Sequence, residues 1–440
     1  MKPKQHSYSE ENLDALERVT FDYFLKEANP ENGLVPDSTR QGSPCSIAAT
    51  GFGLASYPVG VERGFITRDE AITRTLLTLR FFWNSAQGPE PDVTGYKGFY
   101  YHFLDMKSGR RAWDCELSTI DSTFLIAGAL TAAQYFNRDN QDELEIRTVA
   151  DAIYRRCDWQ WAQNLGATVT HGWRPESGFI KYRWEGYNEA LILYVLGLGS
   201  PTHALPEESY KAWASTYEWR SLYGREFLYA GPLFIHQLSH MWIDFRGIQD
   251  DYMRGKGIDY FENSRRATYL QQQYAICNPR GFRGYGEYIW GLTASDGPGP
   301  ARKKIGGKLR QFFDYEARGI PDGPDDGTLA PWAVIASLPF APEIVLPSMQ
   351  YFDEAYPEMT SHYGFKCSFN PTFSTGSGND KDSSKEWISK GYYGLDQGPI
   401  VLMIENYRTG FLWRLMRGCS YIVEGLRRAG FEGGWLQELE

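Results

Sequence analysis

Six cysteines in 440 residues, at positions 45, 115, 157, 277, 367 and 419, form no Cys-x-x-Cys pair. Such scatter excludes a disulfide scaffold and offers no zinc-site spacing, so free, buried thiols are expected. No apolar run reaches the roughly 18 residues that a membrane span needs. The opening MKPKQHSYSEENLDALERV has no apolar core of the kind an export signal carries. The location stays open: the chain as given is expected to be cytoplasmic, or periplasmic or secreted if a signal was trimmed and a Met added. Positive charge is also short. Lys and Arg number 45 against 55 Asp and Glu, a net charge of −10, which argues against nucleic acid or an anionic membrane as partner. The glycine spacings of P-loops and dinucleotide folds are missing, as is HExxH, so neither a metal nor an organic cofactor is expected.

Aromatic residues are abundant: 14 Trp, 29 Tyr and 25 Phe, or 15% of the chain. Many lie in Gly- and Pro-rich loops, as in GFYYHF (98–103), HGW (171–173) and GYGEYIW (284–290). Rings beside carboxylates and arginines in loops suit sugars, whose apolar faces stack while their hydroxyls hydrogen-bond. The plainer role of such rings is to fill the edges of a large core, and most of them are expected to do that.

Apolar periodicity predicts about a dozen helices. They begin with 9–28 after a Ser cap, 46–57 built of small residues, and a capping box at Thr67–Glu70 opening a helix to about 85. The aromatic segment 95–113 reads as β-like. Helices follow at 118–136, 141–161, from near 187, 206–217, 232–245, 250–277, 328–338, 342–356 and 397–428. No composition break marks a linker, so a single domain over 1–440 is expected. Helices arriving as hairpins, with aromatic loops between them, fit an all-α fold: an α/α toroid with its loops at one mouth.

The stretch 171–203, HGWRPESGFIKYRWEGYNEALILYVLGLGSPTH, runs from a basic, aromatic loop into an almost wholly apolar helix. Glu189 is the one acid in that helix. Flanked by Trp184, Tyr187 and Asn188, it can keep its proton near neutral pH and act as a general acid. Alternatively it is a first-turn acid complementing the helix dipole, which would lower its pKa. In WDCELSTID (113–121), Asp114, Glu116 and Asp121 stand at a helix entrance. Asp121 fits half of a capping box with Ser118, whereas Asp114 and Glu116 precede the cap and can hold hydroxyls or polarise water. Paired with Glu189, an acid from this segment supplies the two carboxyls that glycoside hydrolysis generally needs.

Further candidates lie along the chain. His236 and His240 have i, i+4 spacing but no third ligand, so one facing a cleft and the other packing is the better reading than a metal site. The loop 282–300 carries Tyr285, Glu287, Trp290 and Asp296 among five glycines and reads as a cleft loop. Asp396 precedes or caps the helix near 397, with Glu405 inside it. PDGPDDGT (321–328) reads as a turn.

Taken together, GRRAWDCELSTIDS (109–122), WEGYNEALILYVLGLGSPTH (184–203), GPLFIHQLSHMWIDFRG (231–247), TASDGPGP (293–300) and DQGPIVLMIENYRTG (396–410) resemble the glucoamylase-like domain family. More narrowly they resemble glycoside hydrolase family 144, the bacterial endo-β-1,2-glucanases. The likeness runs in order along nearly the whole chain. It implies an (α/α)6 toroid with a cleft at one end and inverting hydrolysis of β-1,2-glucan to sophorose-type oligosaccharides. It also implies that Glu189 of the YNEA segment donates the proton and that Asp114, Glu116 and Asp121 line the catalytic cleft. Which of the three acts on water stays open. Many relatives look exported, and this chain shows no such signal.

The expected function is therefore hydrolysis of a β-linked oligo- or polysaccharide, with Trp184, Tyr187, Tyr285 and Trp290 as a sugar platform and His236, Glu287, Asp296 and Asp396 as further substrate contacts. Transfer to a sugar hydroxyl, as in the resembling domain of cyclic glucan synthases, is the nearest alternative, together with exo action. An isoprenoid cyclase using Mg²⁺ is more distant, disfavoured by Arg183 and Glu185 beside Trp184. A non-catalytic sugar-binding protein is the third.

Overall fold

A computed structural model describes residues 8–375 and 386–438. Six helical hairpins follow one another, each an outer helix succeeded by an inner one. α1 (Glu10–Lys26) precedes α2 (Ile47–Glu62), and α3 (Arg68–Asn84) precedes α4 (Thr119–Tyr135). α5 (Gln141–Arg155) and the turn α6 (Trp159–Ala162) precede α7 (Leu191–Leu198). α8 (Glu207–Ala214) leads to two 3-10 turns, Leu233–His236 and Leu238–Met241. α9 (Asp251–Lys256) and α10 (Tyr260–Cys277) lead to α11 (Pro331–Ala336), and α12 (Pro342–Ala355) to α13 (Gly394–Arg408).

The inner elements form a closed ring. α2 packs on α4, α4 on α7, α11 on α13, and α13 back on α2. The 3-10 pair takes the remaining place: Ile192 N of α7 donates to Ser239 Oγ at 3.2 Å, and Gln237 Nε2 donates to Ala333 O of α11 at 2.6 Å. The fold is an (α/α)6 toroid. Its two rings follow from two kinds of sequence. All eight residues of α7, LILYVLGL, are buried, and so is nearly every residue of α2 and α4. A helix apolar on every face must be surrounded. The outer helices instead bury one stripe, as α5 does with Ile146, Ala150, Ile153 and Tyr154. Among the described residues no helix is long and apolar enough to cross a membrane.

Small residues set the closeness of the ring. A Cβ on Gly128 would lie 2.0 Å from Gly51 O, and one on Gly51 would lie 2.4 Å from Phe124 O, so α2 and α4 meet backbone to backbone. Ser46 and Ser118 cap these two helices, their hydroxyls accepting from Ala49 N and Asp121 N. Each such cap contributes about 1 kcal/mol. The outer-to-inner loops of the second and third hairpins carry a small antiparallel sheet, Gly95–Tyr96, Phe99–Tyr101, Leu117–Ser118, Gly172–Arg174 and Gly178–Phe179 in spatial order. It sets His102 beside Glu116, with His102 N donating to Glu116 O at 2.9 Å.

Several helix boundaries differ from the sequence reading. The helix expected from near 187 starts at Leu191, because 186–190 turn sharply first, so Glu189 lies outside it. Instead of one helix over 232–245 there are the two 3-10 turns, which removes the i, i+4 α-helical geometry assumed for His236 and His240. The span 250–277 breaks at Gly257 (φ +71°), and 397–428 breaks at Gly410 (φ +66°) into α13, α14 (Phe411–Arg417) and α15 (Ser420–Arg428). Tyr393, not Asp396, is the N-cap of α13. Five cysteines are buried thiols as expected, but Cys277 is exposed near the end of α10. The 321–328 turn hides a buried ion pair, Asp326 accepting from Arg318 at 2.8 and 2.9 Å with both side chains inaccessible to solvent.

The backbone contact of α2 and α4 is open to test. Gly128→Ala should lower stability by about 1–3 kcal/mol or more, because overpacking forces the helices apart. Gly255→Ala, in α9 where a Cβ meets nothing within 4 Å, should instead gain about 0.5–1 kcal/mol. Chemical denaturation of both variants checks the contrast, and equal midpoints would rule the contact out.

Candidate active site

The inner helices run parallel, and their N-termini meet at one mouth around a cavity of about 670 Å³. Ser46 comes from the start of α2, Ser118 and Asp121 from α4, Trp332 from α11, and Tyr393 and Leu395 from α13. Phe234 and Leu238 come from the 3-10 turns, and Glu189 precedes α7. Four carboxyl groups face this space, Asp37, Glu116, Asp121 and Glu189, together with His102 and His171.

Environment separates the four acids. His102 Nδ1 contacts Glu116 Oε1 at 2.9 Å, and its Nε2 lies 3.6 Å from Asp121 Oδ2. Burial disfavours the imidazolium, but Asp121, Glu116 and Asp37 outweigh it and raise His102 to about 9. Burial alone would raise Glu116 as well. The hydrogen bond and charge of His102 overcome that and bring Glu116 down to about 2, helped by Arg174 at 3.7 Å. Glu116 and His102 are thus an ion pair at neutral pH. Asp121 Oδ2 accepts from Ser118 Oγ at 2.5 Å while its own N–H donates to that hydroxyl at 3.2 Å, so the serine caps α4 but the carboxyl bonds the cap's hydroxyl in place of its N–H and faces the cavity.

Glu189 is the opposite case. Its carboxyl meets its own backbone N–H but no hydrogen-bonding group of another described residue, and its backbone carbonyl accepts from Ser239 Oγ at 3.3 Å. Burial pushes the carboxyl up to about 7, with the charge of Asp121 adding to the rise against its own backbone N–H. The helix-dipole alternative required a depressed value and a place in the first turn, and Glu189 has neither. Asp37 is likewise raised, to about 6, by burial and by Asp121, with His102 and Arg40 opposing.

The family model described as "Putative glucoamylase" matches residues 181–420, more than half of the chain and the segment that carries Glu189. The chain belongs to this glucoamylase family. A "putative glucoamylase" structure from Bacteroides uniformis is 34% identical and covers 99% of this chain and 100% of its own, with a TM-score of 0.84. The endo-β-1,2-glucanase from Chitinophaga pinensis, solved with sophorotriose and glucose, is 27% identical, covering 97% and 99% at a TM-score of 0.83. An exo-β-1,2-glucooligosaccharide sophorohydrolase from Parabacteroides distasonis is 29% identical over 95% of this chain, which spans 58% of that protein's length.

Within this glucoamylase-family ring the sequence candidates divide. Glu189, Glu116, Asp121 and Trp184 line the cavity. Trp184 is stacked by His171, ring centres 3.8 Å apart, and its Nε1 donates to Thr119 Oγ1 at 3.0 Å. Asp296 and Asp396 lie behind the wall. Asp296 accepts from Arg40 Nη2 at 2.6 Å and from Ser389 Oγ at 2.7 Å, so it holds a cavity arginine, whereas Asp396 is buried and raised well above the carboxylate range by desolvation. The others stand apart. Tyr187 packs on Tyr260 and His236, and His236 sits near Ala230 O at 3.2 Å, kept neutral by burial. Tyr285 donates to Asp325 at 2.6 Å and Trp290 to Ser348 at 2.9 Å, both in the core. Glu287 is exposed, and Asp114 is exposed on a left-handed turn with Trp113 (φ +48° and +56°).

Sequence reasoning passed over Asp37, His102, Arg40 and His171, and the exposed rings of Trp113 and Tyr182 at the rim. Trp113 precedes the acids of the 113–121 segment directly, and that adjacency was a usable signal.

The ion pair sets a pH window. Glu116 is lowered from 4.5, so its contribution to stability is present above 4.5 and lost as pH falls toward about 2. His102 is raised from 6.5, so its contribution is present below 6.5 and lost as pH rises through about 9. In NMR titration one imidazole should change near pH 9 and vanish in His102→Gln. If all imidazoles titrate below 7, the pair is not ionic.

Proposed function

We propose that this protein is a glycoside hydrolase of β-1,2-linked glucan or its oligosaccharides, in which Glu189 protonates the leaving glycosidic oxygen. The observation that carries the reading is Glu189 itself, a cavity-facing carboxyl uncommitted to any other described residue and held up to about 7 by burial. A general acid must keep its proton at working pH yet give it up readily, and a value near neutrality meets both demands. Glu116 and His102 supply a fixed ionised wall nearby.

Ring hydroxyls need hydrogen-bonding groups and ring faces need flat apolar surface. Asp121, Glu116 and Arg40 provide the first, and Trp113, Tyr182, Trp184 and Tyr393 the second. Such a wall suits a neutral polyhydroxylated substrate and is unlike the apolar pocket that a free carbocation needs. The linkage rests on relatives that match nearly the whole of this chain and carry names specifying β-1,2-glucans. The chain acts on this reading as a single catalytic domain, 1–440.

Product release from β-1,2-glucan and sophoro-oligosaccharides, with β-1,3-glucan and starch as controls, tests the proposal. Sophorose-series products should appear from the β-1,2 substrates only. Glu189→Gln should lose about 10²–10⁴-fold in kcat. Because Glu189 works protonated, kcat/KM of the parent should fall as pH rises through about 7. No product from any substrate, or a fully active Glu189→Gln, would overturn the reading.

A further inference from the structure

We propose that Asp37 is the second catalytic carboxylate, the base that takes a proton from the attacking water. This deepens the hydrolase reading above and rests on it.

Of the four cavity carboxyls, two are committed to neighbours: Glu116 to His102 and Asp121 to the Ser118 hydroxyl. Among the described residues Asp37 and Glu189 make no side-chain hydrogen bond to another residue, so both carboxyls can reach substrate and water. The backbone of Asp37 is nevertheless fixed on both sides. Its N–H donates to Pro44 O at 2.7 Å, and its carbonyl accepts from Gly394 N, the first residue of α13, at 2.9 Å. An antiparallel bridge pairs the next residue, Ser38, with Tyr393. A free carboxyl on a pinned backbone is what a positioned base requires.

The place in the ring adds the second argument. Asp37 sits where α13 meets α2, whereas Glu189 sits where α7 meets the 3-10 pair. Around six inner elements these two junctions are diametrically opposed. Asp121, at the start of α4, lies between them and influences both electrostatically, while neither end influences the other. Inverting hydrolysis needs acid and base on opposite faces of the sugar, about 6.5–9.5 Å apart with room for water, and opposite junctions of the ring let one group approach from each face. In the step, the water oxygen bonds to C1 as the C1–O glycosidic bond breaks. The water proton passes to the Asp37 carboxylate, and the Glu189 proton goes to the leaving oxygen.

The groups around Asp37 suit the task. His102, Asp121 and its neighbour Arg40 face it, with Asp396 of α13, Tyr23 of α1, Cys45 and Tyr315 beyond them. Burial raises Asp37 to about 6, so its carboxylate is basic enough to take a proton from water yet is ionised at neutral pH.

Two substrates separate base from acid: sophorotriose, and an aryl β-sophoroside whose leaving group needs no protonation. Asp37→Asn should lose about 10²–10⁴-fold in kcat on both, with KM little changed. Glu189→Gln should recover most of its rate on the aryl substrate. Azide, a nucleophile that needs no base, should restore turnover to Asp37→Asn and give the α-glycosyl azide. The acidic limb of kcat/KM, near pH 6 in the parent, should disappear in the same variant. Asp37→Asn within about threefold of the parent would overturn the assignment, as would loss of both substrates in Asp121→Asn with azide rescue there instead. Either result leaves the role of Glu189 standing. A parent inactive on every glucan would remove the hydrolase reading and this inference together.

Discussion

Inner helices without a polar face impose the constraint on which the molecule depends. α2, α4 and α7 have nowhere to turn toward water, so each must be enclosed on all sides. Outer helices with a single apolar stripe provide that enclosure, and the alternation of the two kinds along the chain makes the toroid. Gly51 and Gly128 tighten it by letting two backbones touch. The apolar layer also ends abruptly. At the N-terminal ends of the inner helices polar groups begin, and there the cavity opens.

That arrangement brings several helix N-termini, each with a partial positive charge, to bear on one small volume. Carboxylates are at home in such a field, which helps explain why the cavity collects four of them. Their differing protonation comes from immediate neighbours. Glu116 has an imidazolium against it and stays ionised, whereas Glu189 has no cationic neighbour among the described residues to offset its burial and keeps its proton close to neutrality. One pocket thus offers carboxyls in different states.

The fold was legible because periodicity reports local structure, and hairpin after hairpin is local. The site was legible only where chemistry and chain position coincide. Glu189, Glu116 and Asp121 stand beside apolar helices and could be placed at the cavity from the sequence, whereas Asp114 of the same segment is turned out to solvent by a left-handed turn. Tyr187, Tyr285 and Trp290 carry the same loop-aromatic signature as Trp184, yet they fill the core, since a ring's burial is decided by distant partners such as Tyr260, Asp325 and Ser348. Asp37 was invisible for the complementary reason. In VPDSTR it looks like an ordinary turn residue, and only its tie to Gly394, more than three hundred residues later, brings it to the cavity. His102 depends in the same way on a strand register that sequence patterns do not specify.

The closure of α13 on α2 bears on how the chain is made. A Cβ on Gly394 would lie 2.4 Å from Ala49 Cβ, and one on Gly398 would lie 2.5 Å from Phe52 Cβ, so the two helices are in intimate contact across most of the sequence. During synthesis from the N-terminus, five-sixths of the ring is complete before α13 leaves the ribosome, and until then the apolar flank of α2 has no cover. The nascent protein is an open crescent with a greasy edge, the form in which partly made chains associate wrongly or engage chaperones. A premature stop anywhere before residue 394 leaves that edge exposed permanently, so truncated copies should be cleared or aggregate and should not persist as smaller working enzymes.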